Sequence, residues 1–412
     1  MCYTQNRFNA LLSACVLSLI ATVAWSQSLT WLGTLGGNES EALGVSADGA
    51  VVVGRAENAA GQRRAFRWTA SGGMQDLGTL GGTWSEAYGV SADGAVVVGR
   101  ARNDANQRRA FRWTASGGMQ DLGSLGGGES TAYGVSANGA VVVGWASNAN
   151  RQARAFRWQN GVMQDLGTLG GRHWGSVANG VSADGAVVVG WADNAAGHRR
   201  AFRWTAAGGM QELGTLLGGY WSEAYGVSAD GAVVVGVADN AAGLVRPFRW
   251  TAAGGMQDLG TLDGIGSLAW DVSADGAVVV GYATNAAGQP RAFRWTASGG
   301  MEDLNTTYAS LLTNGSVLSI ANAISPDGRY IVGWGYNAAT GRSREAFLLD
   351  TRCTAHNGDV DRNGCVDDAD LLAVLFAFGQ TGSNLGRVDV NCDGVVDDAD
   401  LLIVLFNFGS GC

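Results

Sequence analysis

The dominant pattern in the chain is a short apolar run that ends in glycine and returns every 45 or 46 residues through its first six copies, with a seventh 52 residues later. The first run is Val51-Val52-Val53-Gly54 and the last is Ile331-Val332-Gly333, with seven in all. A Phe-Arg-Trp block follows each of the first six runs, with its phenylalanine at Phe66, Phe111, Phe156, Phe202, Phe248 and Phe293. A fixed period of this length predicts a repeat architecture in which neighbouring units bury each other's apolar faces.

Each unit offers four short segments that predict β-strands. In the first unit they cover residues 42–46, 50–56, 64–69 and 74–79. Asp48-Gly49 separates the first two, and this pair favours a tight hairpin because it readily adopts positive φ. Four strands in about 45 residues is the size of one propeller blade. The sequence therefore predicts an all-β, seven-bladed β-propeller over residues 27–350.

The two ends of the repeat region are complementary. Residues 29–35 copy the fourth strand of a unit with no first three before it, and the last unit stops after its third strand, at 347–349. We expect the N-terminal strand to complete the seventh blade, since this closure removes two exposed sheet edges.

These blocks also resemble a known family. Ala-Phe-x-Trp, Met-Gln-Asp-Leu-Gly-Thr-Leu-Gly-Gly and Gly-Val-Ser-Ala-Asp-Gly-x-Val-Val-Gly are similar to the bacterial HAF extracellular repeat over nearly all of residues 29–349. Pro247 replaces the alanine of one block, and arginine stands in place of the family's histidine at Arg64, Arg109, Arg154, Arg200 and Arg291. The resemblance implies an exported repeat protein and brings no catalytic residues with it.

Composition and the N-terminus narrow the class of protein. With 65 glycines, only three prolines and no glycine at every third position, the chain is not collagen. The net charge of −9 gives no reason to expect a nucleic-acid partner.

Residues 1–26 predict an export signal: Arg7, an apolar run too short to span a bilayer, and the cleavage site Ala24-Trp25-Ser26. The expectation is a bacterial protein that is secreted or on the cell surface, not membrane-spanning, and monomeric.

The acidity lies in the last 60 residues, which hold ten aspartates and two arginines. Two copies of a twelve-residue pattern occur there, with oxygen ligands at positions 1, 3, 5, 9 and 12, glycine at 6 and a backbone carbonyl at 7. This is the spacing of EF-hand calcium loops, because calcium prefers six to eight hard oxygens. The predicted ligands of the two calcium ions are Asp359, Asp361, Asn363, Cys365, Asp367 and Asp370, then Asp389, Asn391, Asp393, Val395, Asp397 and Asp400.

Each loop runs into an apolar helix, predicted over 371–378 and 401–408, and the duplicated unit resembles a type I dockerin module over residues 357–409. The resemblance implies calcium binding and docking onto a cohesin-like or other cell-surface protein. The docking positions would be Asp368, Ala369, Leu372, Phe376, Asp398, Ala399, Leu402 and Phe406. Positions 10 and 11 carry Asp-Ala instead of the hydroxyl pair common in cellulosomal dockerins. The module, residues 353–412, also holds four cysteines, for which we expect Cys353–Cys412 and Cys365–Cys392, one of three possible pairings.

Repetition separates structural residues from candidate binding residues. The tryptophans of the Phe-Arg-Trp blocks and the glutamates Glu41, Glu86 and Glu223 recur at equivalent positions, which favours packing. Four tryptophans instead stand where the link from one unit to the next is expected: Trp84, Trp174, Trp221 and Trp270. Aromatic side chains there could bind a glycan or a protein. No catalytic constellation is found.

The sequence therefore favours a secreted, non-enzymatic propeller that presents a binding face and is tethered by a calcium-dependent module. Two alternatives remain. One is a carbohydrate-active enzyme, a hydrolase or lyase with its site on the propeller face, which a pair of non-repeated carboxylates at the channel mouth would favour. The other is a tail that is only structural, with no docking partner.

Overall fold

The computed structural model describes residues 27–171, 175–351, 356–361, 363–381, 385–392 and 395–412. Two units are present: a propeller, Ser28–Thr351, and a C-terminal unit that follows it in the chain. The expected export signal lies outside the described residues. None of the helices in the described ranges combines the length and apolar character needed to cross a lipid bilayer.

The propeller consists of seven four-stranded antiparallel sheets. The inner strands are β2 (Gly36–Val45), β6 (Gly81–Val90), β10 (Gly126–Val135), β14 (Ser176–Val181), β18 (Ser222–Val227), β22 (Ser267–Val272) and β26 (Val317–Ile324). The second strands are β3 (Val52–Asn58), β7 (Val96–Asn103), β11 (Val141–Asn148), β15 (Val187–Asp193), β19 (Val233–Asp239), β23 (Val279–Thr284) and β27 (Tyr330–Asn337). The third strands are β4 (Arg63–Thr69), β8 (Arg108–Thr114), β12 (Ala153–Gln159), β16 (Arg199–Thr205), β20 (Val245–Thr251), β24 (Pro290–Thr296) and β28 (Arg342–Asp350). The outer strands are β5 (Gly73–Asp76), β9 (Gly118–Asp121), β13 (Val162–Asp165), β17 (Gly209–Glu212), β21 (Gly255–Asp258), β25 (Gly300–Asp303) and β1 (Ser28–Trp31).

The predicted closure of the ring is confirmed. Strand β1 pairs antiparallel with β28, so that Leu29 lies opposite Leu349 and Trp31 opposite Phe347. The Trp31 and Phe347 rings meet edge to face with centroids 6.2 Å apart. Blade seven therefore takes its outer strand from the start of the chain and its other three from the end.

The glycine that ends each apolar run makes room for the buried phenylalanine of the same blade. Gly54 pairs with Phe66 across β3 and β4, and a Cβ on Gly54 would lie 1.9 Å from the Glu41 carbonyl oxygen and 2.9 Å from the Phe66 ring. Phe66 and its six counterparts are fully buried. The tryptophans of the Phe-Arg-Trp blocks pack into or against the same clusters, as predicted.

A second repeated contact joins the blades at the hairpin turns. Gly49 adopts a φ of +70° in the Asp48-Gly49 turn. In each of the first six blades the alanine two residues before the turn glycine donates its N–H to a carbonyl of the next blade. These bonds run from Ala47 to Ala92, and on through Ala137, Ala183, Ala229 and Ala274 to Pro326, at 2.8–3.1 Å. Pro326 has no N–H, so the boundary between blades seven and one lacks this bond.

Between blades six and seven the chain forms one short helix, α1 (Leu304–Thr307), and a 3₁₀ turn, Ala309–Leu311. The C-terminal unit contains α2 (Asp368–Ala377), a 3₁₀ turn at Gly386–Val388 and α3 (Asp398–Phe406). Its core is a cluster of small apolar side chains: Val366, Val374, Ala377, Val390, Val396 and Val404.

Candidate functional site

Two regions of the described structure bring polar and aromatic side chains together: the central channel of the propeller and the loops of the C-terminal unit. In the channel, one position of each inner strand points at the axis. We call these seven residues the constriction ring: Leu43, Tyr88, Tyr133, Asn179, Tyr225, Trp270 and Asn322. They line both a wide cavity of about 810 Å³ and a narrow one of about 220 Å³, so the ring divides the channel.

Hydrogen bonds and ring contacts hold the constriction ring in place. Asn179 and Asn322 each donate from Nδ2 to a carbonyl of the next blade, at 2.8 Å. The Tyr225 hydroxyl donates to Glu223 at 2.7 Å, and its ring lies 4.7 Å from that of Trp270. The floor of the wide cavity is therefore built from fixed side chains, which is the preorganisation that binding sites need.

An ion-pair network spans the boundaries of blades seven, one and two, and three of its residues, Glu41, Arg55 and Arg344, line the wide cavity. Arg344 contacts Glu41 at 2.7 Å, and Arg55 links Glu41 (2.7 Å) to Glu86 (2.9 Å). Glu86 also accepts from Arg100 and Arg63. Burial alone would raise the pKa of Glu86, but Arg100, the Tyr88 hydroxyl and Arg55 outweigh it and lower the pKa to about 2. The network contains four arginines and two carboxylates.

Tryptophans at one position of the second strands complete the wall of the wide cavity. Trp145, Trp191 and Trp334 line it, and an arginine lies over each ring. The guanidinium carbons of Arg108, Arg199 and Arg344 are 5.0, 4.0 and 4.4 Å from the respective ring centroids. Of these three arginines only Arg344 also lines the wide cavity.

The narrow cavity holds one carboxylate among its described lining residues, Asp271. Asp271 stands where the first five blades have glycine. Its oxygens accept from the N–H of Val272 at 2.8 Å and of Ile324 at 3.0 Å. Burial raises the pKa of Asp271 to about 6 against these two hydrogen bonds.

Two of the four predicted binding tryptophans lie in strands and not in the links between units where the sequence analysis placed them. Trp270 lies in β22 as part of the constriction ring, and Trp84 lies in β6, 4.8 Å from the guanidinium carbon of Arg100. The prediction that these two stand in links was wrong. The inner strand β6 begins before a bulge and so includes Trp84, and Trp270 lies in the middle of β22. Trp221 does precede its strand, and Trp174 lies outside the described residues.

Sequence reasoning missed the arginine and tryptophan wall. The position after each Val-Gly run carries Arg55, Arg100, Trp145, Trp191, Val237, Tyr282 and Trp334 in the seven blades. Variation at this single position inside an otherwise constant block was the available signal. The three glutamates assigned to packing do make structural ion pairs, and Glu41 and Glu223 also line the cavity.

In the C-terminal unit the first predicted calcium loop brings three carboxylates together. Ligand atoms of Asp359, Asp361 and Asp370 lie within 4.8 Å of one another. Asp370 is fully buried at position 12, where its Oδ1 accepts from the N–H of Val360 (2.6 Å) and Asp361 (3.1 Å) and its Oδ2 from Asp367 (2.9 Å). The loop is thus folded around the carboxylate that closes it.

One carboxylate oxygen in this loop has no hydrogen-bond donor. Asp359 Oδ1 is buried and has no hydrogen-bond partner, whereas Oδ2 of the same residue accepts from the Gly364 N–H at 3.2 Å. A buried carboxylate oxygen without a donor is costly unless a cation compensates it. The donor set of carboxylate, amide and carbonyl oxygens fits calcium.

The second loop repeats the contacts of the first. Asp400 is fully buried and accepts from the N–H of Asn391 at 2.9 Å and of Asp397 at 3.0 Å. Asp389, at position 1, is also buried. Asp393 lies outside the described residues.

Helices α2 and α3 begin at equivalent capping boxes, with Asp367 and Asp397 as N-caps. All eight predicted docking residues are exposed. Phe376 is 85% exposed and Phe406 83%, and their large apolar neighbours Leu372, Leu375, Phe378, Leu402, Leu405 and Phe408 are each about half exposed. Two matching apolar faces therefore remain uncovered by the described residues of this unit.

The predicted disulfide pairing was wrong. Cys365 is bonded to Cys412, with Cα atoms 4.6 Å apart, so neither Cys353–Cys412 nor Cys365–Cys392 forms. The reason is the path of the C-terminus: Val366 donates to Ser410 O at 3.1 Å and accepts from Gly409 N at 2.8 Å, which lays the last residues beside the first loop. Cys392 is also disulfide-bonded, and Cys353 lies outside the described residues.

Neither a model of a known protein family nor a curated protein matches the chain. Similar solved structures include a putative TolB from Agrobacterium tumefaciens, 18% identical over 53% of this chain and 80% of that one, with a TM-score of 0.41. TolB from Acinetobacter baumannii is 11% identical over 71% and 77%, with a TM-score of 0.41. Hydrazine synthase of Kuenenia stuttgartiensis is 12% identical over 78% and 97%, with a TM-score of 0.42. The assignment of the propeller fold rests on the observed strand order and pairing.

Proposed function

We propose that this protein is a secreted, non-enzymatic binding protein whose C-terminal unit binds two calcium ions and docks onto a partner protein. The propeller supplies a ligand-binding surface, and the C-terminal unit tethers it to a cell-surface or extracellular assembly. The observation that carries the proposal is the convergence of Asp359, Asp361 and Asp370, with an orphaned oxygen on Asp359, directly before an apolar helix.

The six residues predicted for each loop would hold the ions, through side-chain oxygens and the carbonyls of Cys365 and Val395. Bound calcium would neutralise the crowded carboxylates and fix each loop against its helix. The resemblance to a type I dockerin supports this assignment, as does the near identity of the hydrogen bonds around Asp370 and Asp400.

Docking is supported by the apolar faces of α2 and α3. Phe376 and Phe406 project from equivalent turns, and the helices find no cover among the described residues of their own unit. Contiguous apolar patches of this kind mark protein interaction sites in soluble proteins. The Cys365–Cys412 bond supports an extracytoplasmic location, because such bonds persist in oxidising compartments.

Calcium binding is tested on the full chain by titration calorimetry and by hydrogen exchange with and without a chelator. We expect two ions per chain and protection of residues 356–412 that the chelator removes. The variant Asp359→Asn should reduce the stoichiometry to one. Protection that does not change on chelation would overturn the calcium assignment.

Docking is tested by affinity capture from the native secretome in calcium. The double variant Phe376→Asp/Phe406→Asp should lose a partner that the wild type retains. Leu217→Asp is the matched control, because Leu217 is 95% exposed on the propeller. A partner captured equally by wild type and double variant would overturn docking through these helices.

A further inference from the structure

The wide end of the propeller channel has the dimensions of a ligand site. Its volume of about 810 Å³ falls within the range of small-molecule pockets, roughly 300–1,000 Å³. The constriction ring separates it from the narrow cavity below. A ring of blades leaves a central channel in any case, so the residues that line it indicate whether it can bind a ligand.

The charges on its wall favour an anion. Among the described residues, the charged side chains that line the wide cavity are the arginines Arg55 and Arg344 and the carboxylates Glu41 and Glu223. The side chains of Glu41 and Glu223 are 6% and 13% exposed, whereas those of Arg55 and Arg344 are 23% and 34% exposed. The cationic groups therefore face the solvent side in a chain whose net charge is −9. Exposed guanidinium groups fit carboxylate and sulfate oxygens in two-point contacts.

The aromatic groups favour a ligand with rings. Trp145, Trp191 and Trp334 stand at the same height on three blades, each beside an arginine. Indole rings provide flat apolar platforms with little conformational entropy to lose. A sugar ring has an apolar face for such a platform and hydroxyl groups for the polar wall.

The floor of the cavity offers an unused donor. Trp270 Nε1 is buried and has no hydrogen-bond partner, although buried indole N–H groups normally find an acceptor. A ligand oxygen at the bottom of the cavity would satisfy it.

From these observations we propose that the wide cavity binds an anionic saccharide, whose rings stack on the tryptophans and whose carboxylate or sulfate groups contact the exposed arginines Arg55 and Arg344. This inference rests on the part of the proposed function that makes the propeller a binding domain. It does not depend on calcium or on docking.

Binding is measured on the full chain by tryptophan fluorescence and titration calorimetry with five probes. These are a trimer of galacturonic acid, a sulfated disaccharide, a neutral trisaccharide, a neutral disaccharide and triglutamate. We expect one of the two anionic sugars to bind at least about tenfold more tightly than its neutral counterpart and than triglutamate, with affinity falling as salt rises. The two anionic probes distinguish carboxylate from sulfate. If triglutamate binds as tightly as the anionic sugars, the cavity does not select saccharides. If the neutral sugars bind as tightly, it does not select anions. If no probe binds, the proposed site is wrong.

Two variants locate the site. Trp191→Leu and Trp334→Leu should each weaken binding by at least about fivefold, while Trp221→Leu, outside the cavity lining, should not. Thermal unfolding of every variant identifies those that fail to fold. Unchanged affinity in both folded cavity variants would overturn the placement. The variant Phe376→Asp/Phe406→Asp should bind the sugar normally, so failure of docking and failure of this site are distinguishable.

Discussion

Asn322 Nδ2 donates a hydrogen bond to the carbonyl oxygen of Ala42, 2.8 Å away in space and 280 residues away in the chain. The bond joins the inner strand of the last blade to that of the first. Asn179 makes the same bond to Ala224 within the continuous part of the ring. One side chain type therefore serves both an ordinary blade boundary and the closing one.

Loss of the asparagine hydrogen bond should destabilise the boundary between blades seven and one more than the boundary that Asn179 bridges. Asn322→Ala and Asn179→Ala each remove one interblade hydrogen bond, and we expect each to lower the free energy of unfolding by about 1 kcal/mol. Asn322→Ala should cost more, because Pro326 already leaves its boundary without the bond between turns. Chemical denaturation of both variants measures the difference, and an equal or smaller loss for Asn322→Ala would contradict it.

Trp31 should anchor the N-terminal strand in blade seven. Trp31→Ala removes the contact with the Phe347 ring, and we expect a loss of about 3 kcal/mol because the side chain packs against a buried cluster. Thr30→Ala, at an exposed neighbour on the same strand, is the control. Hydrogen exchange should show increased exchange in β1 and β28 for the tryptophan variant alone; increased exchange spread evenly over all blades would argue against strand anchoring.

Glu86 should be far more important for stability than an exposed glutamate on the next blade. Glu86→Gln leaves three arginines without their buried anion, and we expect a loss of about 3 kcal/mol. Glu129→Gln breaks an exposed pair with Arg108 and should cost less than about 1 kcal/mol. Urea unfolding at pH 7 tests both. If the two variants lose similar free energies of unfolding, the ion-pair network around Glu86 contributes little to the stability of the propeller.

Asp271 should make the stability of the propeller depend on pH. Its pKa is raised from 3.8 to about 6 in the folded state, so the folded chain binds more protons than the unfolded chain in this window. Stability contributed by the protonated form is complete below the unfolded pKa and is lost as pH rises through the folded one. As the pH rises from 4 to 7.5, the free energy of unfolding of Asp271→Asn should therefore increase relative to that of the wild type by up to about 3 kcal/mol. An effect of the substitution that does not vary with pH would contradict this assignment.

The disulfide between Cys365 and Cys412 should hold the C-terminus against the first loop. It is closed across a sequence separation of 47, and removing it with Cys365→Ser/Cys412→Ser should cost about 4 kcal/mol in the C-terminal unit by the loop-entropy relation. Non-reducing peptide mapping of the wild type should recover a peptide that links these two cysteines. A peptide linking Cys353 to Cys412 would contradict the structure.

The repeat period was sufficient to predict the number of blades and the closing strand. Both follow from counting, because each unit carries the same four strands and the two chain ends complement each other at Trp31 and Phe347. The packing role of Phe66 and its counterparts follows in the same way, since a residue that recurs at one blade position has one environment.

The residues that line the channel could not be predicted from the repeats. Repetition identifies equivalent positions but not which of them faces the axis, and the bulge before Ser85 moves Trp84 into a strand. The disulfide pairing failed for a related reason. It depends on how residues after Phe406 return beside Val366, and no local pattern reports that path.

The missing turn bond at Pro326 has a mechanical consequence. The chain leaves the propeller at the end of β28, so a pull on the C-terminal unit first reaches blade seven. This is the blade whose outer strand comes from the other end of the propeller sequence, and whose boundary with blade one lacks the backbone bond between turns. Under tension the circle should open there, releasing the N-terminal strand while six blades stay stacked.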